Sequence, residues 1–211
     1  FIEKIESFAE IIQSNTDGGL VKLKRKGDFE RLKKEAEKWQ ERTGLNFEFE
    51  FYKRVIQKDV NNYVLVSEDD KIISKGSYVK RLSKLDYDLP IVNESLINFM
   101  AFDIPIEKTI NDCDDLIDFQ LITKISNKYD YFIHDGKILD EKTIRIFSTR
   151  NKNKGKVMKK HVSKTTYDNV SNCPNNAEIL NSDITGKKVP SWLDRSYYIE
   201  LAKRRLKHFG Y

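Results

Sequence analysis

The chain has 211 residues, of which 39% are hydrophobic and 34% are charged, and 38 lysines and arginines against 33 acidic residues give a net charge of +5. Its 12 phenylalanines and 10 tyrosines exclude a disordered chain, because disordered segments lack the aromatic residues that build a core. No segment approaches the roughly 20 consecutive apolar residues that cross a bilayer, so the sequence predicts no membrane partner. The sequence begins with Phe1 rather than Met, as a piece of a longer protein would.

The first part of the chain predicts β-hairpins separated by a helix. Alternating apolar residues bounded by turn-forming residues predict strands over residues 9–14, 20–24, 45–52, 62–67 and 71–80. The helix is expected to begin with Asp28 as its N-cap and to end at Gly44, because a short polar side chain and a glycine are the usual residues at those two positions.

The second part of the chain predicts acidic helices, then strands, then a C-terminal helix. Helical spacing of apolar residues covers 93–103 and 105–125, and strands are expected over 129–134, 143–148 and 155–162. A last helix is expected to follow Ser191 as its N-cap. Together these elements predict an α+β fold in two parts, residues 1–85 and 86–211.

The number and spacing of the cysteines bear on metal sites, disulfides and the cellular compartment. Cys113 and Cys173 are far apart, form no CxxC pair and have no histidine at metal-ligand spacing. This argues against a zinc site, excludes a disulfide framework and favours a reducing cytoplasm.

Charge is segregated along the sequence. Residues 86–118 contain nine acids and one base, whereas residues 142–164 contain nine bases and no acid. One interpretation of the basic segment is a solvated loop between two strands, turned at Asn151, Asn153 and Gly155. The other is an arm that follows the phosphates of a nucleic-acid backbone. Its candidate phosphate-binding residues are Arg150, Lys152, Lys154, Lys156, Lys159 and Lys160.

Three short segments carry candidate chemistry. The first is the predicted turn around Asp17-Gly18-Gly19, where an exposed carboxylate at a hairpin tip suits Mg²⁺, although Asp-Gly is also an ordinary turn sequence. The second offers Lys58, Asn61, Asn62 and Tyr63 after a strand, either as a polar turn or as contacts to a sugar and phosphate. The third offers Lys75, Gly76, Lys80 and Arg81, either as a glycine bulge with solvated bases or as a phosphate contact.

The order of these three segments resembles the C-terminal half of family B DNA polymerases of bacteriophages and related mobile elements. In that family a hairpin of the type Tyr-x-Asp-Thr-Asp-Ser is followed by a Lys-x-Tyr element and then by a Lys-Gly…Arg segment. Residues 13–18, Asn61-Asn62-Tyr63, Lys75-Gly76 and Arg81 match this order, and the resemblance spans residues 1–125 best. Asn15 stands at the first acid of the hairpin motif, and Asn61 stands at the lysine of Lys-x-Tyr.

The resemblance implies a palm remnant over residues 1–85, an antiparallel sheet with helices, followed by a mixed helical and β thumb-like region. It implies nucleotidyl transfer to a primer 3′-hydroxyl during DNA replication, in the cytoplasm of a bacterial host. Asp17 would be the catalytic metal ligand, for one of two Mg²⁺ ions, and primer–template DNA and a dNTP would be the partners.

The family's first palm motif and its fingers motif are absent from this sequence. The rest of the polymerase is therefore expected on the same longer chain or on a separate one. The alternative from a different class is a non-catalytic nucleic-acid-binding module on a polymerase-like scaffold. A protein-interaction domain that uses the acidic segment 86–118 would explain that patch but none of the three motifs.

Overall fold

A computed structural model describes residues 1–14, 18–82 and 88–211, which divide into two compact units, residues 1–51 and 52–211. In this described part, antiparallel sheets combine with five α-helices, which confirms the predicted α+β class. The predicted boundary at residue 85 falls outside the described residues. None of the described helices is long and apolar enough to cross a membrane.

The first unit is a β-hairpin with two helices. Its elements are α1 (Ile2–Ile5), β1 (Ala9–Ser14), β2 (Gly19–Leu23) and α2 (Asp28–Thr43). The two strands pair antiparallel from Ala9 opposite Leu23 to Ser14 opposite Gly19. A small core of Ile5, Phe8, Ala9 and Leu32 joins the hairpin to the helices.

The predicted limits of α2 are right at one end only. Gly44 follows the helix with a φ of 73°, as a left-handed C-terminal residue should. The N-cap is Gly27 rather than Asp28, because Asp28 is already helical and its carboxylate accepts a hydrogen bond from Arg31 at 3.3 Å. Asp28 still places a negative charge in the first turn of the helix, where the helix dipole favours it.

Residues 45–51 form no strand in the described part of this unit, so the predicted strand over residues 45–52 is wrong. The alternation nevertheless identifies the side chains that pack. Phe47 contacts Phe1 and Trp39, with ring centroids 4.7 and 5.3 Å apart, and Phe49 and Phe51 contact Phe29. An extended segment can thus pack its aromatic face on a helix without a neighbouring strand to complete a ladder.

The second unit begins with a three-stranded sheet. Its strands are β3 (Tyr52–Asp59), β4 (Asn62–Ser67) and β5 (Ile72–Lys75), in that order and antiparallel. The middle strand buries Val64, Leu65 and Val66. The predicted hairpin turned at residues 68–70 is confirmed, although β5 ends earlier than expected.

Helices and two further sheets complete this unit. The helical elements are α3 (Pro90–Phe102), α4 (Ile106–Asp112) and a 3-10 helix (Leu116–Phe119). Strands β6 (Leu121–Lys124), β9 (Thr143–Ser148) and β12 (Ala177–Ile179) form one sheet in the order β12-β9-β6. Strands β7 (Tyr129–His134), β8 (Lys137–Leu139), β10 (Met158–His161) and β11 (Tyr167–Asn169) form the other, in the order β11-β10-β7-β8.

The predicted helix over residues 105–125 is therefore wrong beyond Asp112. Asp115 caps the short 3-10 helix by accepting the Ile117 backbone N–H at 3.1 Å, which replaces the continuing helical hydrogen bonds. Residues 121–124 then pair with β9, from Leu121 opposite Ile146 to Lys124 opposite Thr143. Pairing with a distant strand thus overrides the local helical spacing of this segment.

The last helix, α5 (Arg195–Leu206), closes the core of the second unit. Its N-cap is Asp194, whose side chain accepts the Ser196 backbone N–H, and not the predicted Ser191. Tyr198 is fully buried, packs edge-on against Phe119 and accepts a hydrogen bond from the Ser148 backbone N–H. A 3-10 turn, Lys207–Phe209, follows the helix.

Candidate nucleic-acid interface

The predicted metal ligand, Asp17, lies with Asn15 and Thr16 outside the described residues. The strands on either side are in place, since Ser14 pairs with Gly19 at the end of the β1–β2 hairpin nearest these residues. The residues that the structure does describe include no group of three or more His, Cys, Asp or Glu side chains arranged to hold a metal ion. The role of Asp17 therefore stays a prediction.

The second and third predicted segments meet at one end of the β3–β4–β5 sheet. Tyr63 lies opposite Lys75 on the neighbouring strand and opposite Gln57 on the other side, so the three side chains share one face. Lys58 is exposed on the strand that precedes this end. The structure thus brings together the Tyr63 phenol and Lys75, which the sequence singles out in separate segments.

A fixed turn precedes Tyr63. The Asp59 carboxylate accepts hydrogen bonds from the Asn61 backbone N–H at 2.9 Å and from the Asn62 amide nitrogen at 2.8 Å. These hydrogen bonds from Asn62 and Asn61 lower the pKa of Asp59. Asn62 is consequently a structural residue of the turn, whereas the Asn61 side chain is exposed.

Gly76 fits closely against this turn. Its φ is +115°, a conformation that only glycine adopts without strain, and a Cβ at this position would overlap the Asn62 side-chain oxygen. Asn93 on α3 donates to the carbonyl oxygens of Ser77 and Lys80, at 3.0 and 3.1 Å, which fixes the turn after Gly76. The side chains of Lys80 and Arg81 are exposed beyond it.

The basic segment at residues 150–164 is a loop followed by β10. Side chains from outside the loop fix its backbone through hydrogen bonds. The Asp135 carboxylate accepts the Gly155 N–H at 2.7 Å, and the Asn176 amide donates to the Lys154 carbonyl at 2.7 Å. The Lys154 ammonium lies 3.6 Å from Glu178 and 3.9 Å from Asp135, so its charge is partly compensated.

The other basic side chains of the loop are more open. Arg150, Lys152 and Lys156 are exposed, and none of them forms an ion pair with an acidic residue in the described ranges. They are thus the side chains of this loop whose charge is available to an external anion.

The lysines of β10 lie against tyrosines of its neighbouring strands. Lys159 is 4.4 Å from the ring centre of Tyr129 on β7, and Lys160 is 5.4 Å from that of Tyr167 on β11. The Tyr129 hydroxyl donates to Asp168 at 2.7 Å, and this bond raises the pKa of Tyr129 and lowers that of Asp168. Ammonium groups over aromatic faces are held by the ring quadrupole while they stay accessible to an anion.

Sequence reasoning missed the two tyrosines of this arrangement. Tyr129 is on β7 and Tyr167 is on β11, the two strands that flank β10 in the sheet. In the chain, Tyr129 comes about thirty residues before β10, and Tyr167 comes a few residues after it. Interleaving of lysines with aromatic residues is the signal that was present, since both tyrosines occur in segments rich in lysine. In comparisons with known proteins, neither a family model nor a curated protein matches this chain.

Proposed function

We propose that this chain is the C-terminal palm and thumb part of a template-directed DNA polymerase, and that its own contribution is to hold the primer and the duplex behind it. The observation that carries the proposal is the pairing of Tyr63 with Lys75 at the end of the β3–β4–β5 sheet, with Lys58 exposed near the end of the neighbouring strand β3. A phenol can pack against a sugar and donate its hydroxyl, while the lysines neutralise adjacent phosphates.

The basic loop and β10 support a nucleic-acid partner independently. Arg150, Lys152 and Lys156 are exposed, and Lys159 and Lys160 are presented on tyrosine rings. Side chains of this kind release counterions when they bind a phosphate backbone, whatever its sequence. A polymerase needs such contacts, because it must hold every sequence that it copies.

The chemical step is assigned to the complete enzyme. Asp17 is the proposed ligand of one Mg²⁺ ion, and two such ions would stabilise the attacking and leaving oxygens during transfer of a nucleotide from a dNTP. The second carboxylate and the fingers residues would come from the rest of the polymerase. In that complete protein, replacing Asp17 with Ala should abolish primer extension and leave DNA binding unchanged, and retained extension would remove Asp17 from the metal site.

A second candidate function is a non-catalytic nucleic-acid-binding module on a polymerase-like scaffold. The residue that favours it is Asn15, which is uncharged where the family has an acid. Both functions predict DNA binding by this chain, but only the first predicts a preference for a primer end. The experiment that tests the proposal therefore compares DNA structures.

Fluorescence anisotropy measures binding of the chain to a recessed primer–template, a blunt duplex and a single strand of the same sequence. The polymerase proposal expects tighter binding to the recessed end, and expects Tyr63→Phe and Lys75→Gln to reduce that preference. Lys71→Gln is the matched control, because Lys71 is exposed near the opposite end of the same sheet and pairs with Asp69 at 2.7 Å. Equal binding to all three DNAs would favour the non-catalytic module, and no binding would overturn both.

A further inference from the structure

A basic cavity lies between the loop at Lys156 and the C-terminal half of α5. Its volume is about 490 Å³, which is within the range of small-ligand pockets. It is lined by residues of three segments: the basic loop, residues 173–175 and α5 with the turn that follows it. The lining cations are Lys156, Lys203, Arg204 and Lys207, and Glu200 is the acidic residue among the described lining residues.

The cations converge because of helix geometry. Lys203 and Arg204 lie three and four residues after Glu200, and Lys207 lies four and three residues after them, which places all four on one face of the helical segment. Lys156 faces that row from the loop. Positive charges from two separate elements therefore surround one concavity.

The charge of the cavity is only partly compensated within the protein. Lys203 forms an ion pair with Glu107 on α4, outside the cavity lining. Lys156, Arg204 and Lys207 have no acidic partner at ion-pair distance in the described ranges, and Glu200 lines the cavity without pairing with any of them there. Each of the three is exposed at the cavity rim, so its ammonium or guanidinium group can reach a ligand inside.

Neutral groups line the inner side of the cavity. The Tyr197 hydroxyl donates to the Asn172 carbonyl, and burial raises the pKa of Tyr197 well above its usual value. Burial also raises the pKa of the Cys173 thiol, so both groups stay uncharged at neutral pH. A partly buried, uncharged wall lowers the local dielectric response, which strengthens the attraction between the rim cations and an anion.

We propose that this cavity binds a phosphate-bearing anion through Lys156, Arg204 and Lys207. A phosphate group carries several acceptor oxygens, and a polyphosphate carries more than one negative charge. Such an anion can therefore bind three cations at once, including the planar guanidinium group of Arg204. The phosphate can belong to a nucleic-acid backbone or to a free polyphosphate. This site goes beyond the proposed function, because Arg204 and Lys207 belong to neither the sheet end nor the basic loop.

Isothermal titration calorimetry at fixed, near-physiological salt tests the site with two probes, sodium tripolyphosphate and a short DNA duplex. The test variant is Arg204→Gln with Lys207→Gln. The control is Lys124→Gln with Lys187→Gln, which removes the same charge from exposed lysines that do not line the cavity. Thermal unfolding of both variants verifies that they fold.

The proposal expects the test variant to bind one of the probes at least tenfold more weakly, while the control binds less than twofold more weakly. A decrease for tripolyphosphate alone identifies a free polyphosphate as the ligand, and a decrease for the duplex alone or for both identifies a site that a backbone phosphate can enter. Equal decreases in the two variants would overturn the proposal, as would no tripolyphosphate binding together with unchanged duplex binding. If the chain shows no binding preference for the recessed primer–template but the cavity still binds tripolyphosphate, the proposed function fails and this inference stands.

Discussion

The Asn62 side chain occupies the space into which any side chain at residue 76 would point. A Cβ built on Gly76 would overlap Asn62 and would lie 3.0 Å from the Asn61 carbonyl oxygen. Asn62 cannot easily move away, because its amide nitrogen is bonded to both carboxylate oxygens of Asp59. The close packing of the two segments that we assign to the primer contact thus requires a glycine at residue 76.

Replacing Gly76 with Ala should therefore destabilise the protein by about 2–4 kcal/mol, since a strained φ and a steric overlap add together. Denaturant unfolding followed by circular dichroism measures this change. Gly136→Ala is the control: Gly136 also has a positive φ, of +75°, but a Cβ there would meet nothing within 4 Å, so only the backbone strain of roughly 1 kcal/mol remains. Equal destabilisation of the two variants would mean that the overlap with Asn62 contributes nothing.

Turn-forming and capping residues predict where a helix or strand ends when that end is determined by residues close in the chain. Gly44 ends α2, and the hairpin turn at residues 68–70 connects β4 to β5, because turn and cap chemistry involves residues close in the chain. The segment at residues 45–51 shows the limit of this reasoning. Alternation tells which side chains will pack against neighbouring rings, but not whether another strand is available to pair with.

Contacts between distant residues could not be predicted in this way. Arg205 is buried on α5, yet its partners Asp88 and Asn93 are more than a hundred residues earlier in the chain. Likewise, Lys159 of β10 meets Tyr129 only because β7 pairs with β10. The candidate segments were visible in the sequence, but their grouping depends on sheet order, which a single sequence does not encode locally.

The ion pair between Arg205 and Asp88 should contribute strongly to the free energy of unfolding. Its side chain is 4% exposed and donates to Asp88 at 3.0 Å and to Asn93 at 2.8 Å. Asp88→Asn should lower the free energy of unfolding by about 2–3 kcal/mol, somewhat less than for a fully buried pair, because Asp88 is itself about one-third exposed.

The matched control for that variant is Asp103→Asn. Asp103 also bonds an arginine, Arg54, at 2.7 Å, but its side chain is 75% exposed. Solvent screens such a pair, and the expected decrease in the free energy of unfolding is below about 1 kcal/mol. The same denaturant unfolding measures both variants. A decrease as small for Asp88→Asn as for Asp103→Asn would show that the charge of Asp88 adds little to the stabilisation that Arg205 obtains from Asn93 and Tyr78.

Cys113 should react slowly with alkylating reagents. Burial raises the pKa of its thiol to about 11, and the nearby carboxylates of Asp118 and Glu94 oppose ionisation further. Only the thiolate is nucleophilic, so raising the pKa from 9.0 to about 11 lowers the reactive fraction about 100-fold at about pH 8.

Mass spectrometry of peptides after timed exposure to iodoacetamide measures this rate, with protein unfolded in urea as the reference. The native rate should rise about tenfold for each pH unit up to about pH 10, because each unit raises the thiolate fraction by that factor while the thiol is mostly protonated. A native rate equal to the unfolded rate would contradict the burial of this thiol.

The basic loop and β10 predict a specific salt dependence of DNA binding. Replacing Lys152, Lys159 and Lys160 with Gln should weaken binding to every duplex sequence and reduce the slope of log K against log salt by about 0.9 for each phosphate that is no longer neutralised. The control replaces Lys53, Lys71 and Lys188 with Gln, which removes the same charge from lysines that pair with Asp70, Asp69 and Asp114. Anisotropy titrations over a salt series should give the control nearly the wild-type slope. If both triple variants flatten the slope equally, the response reflects net charge alone, and the loop has no role of its own in holding DNA.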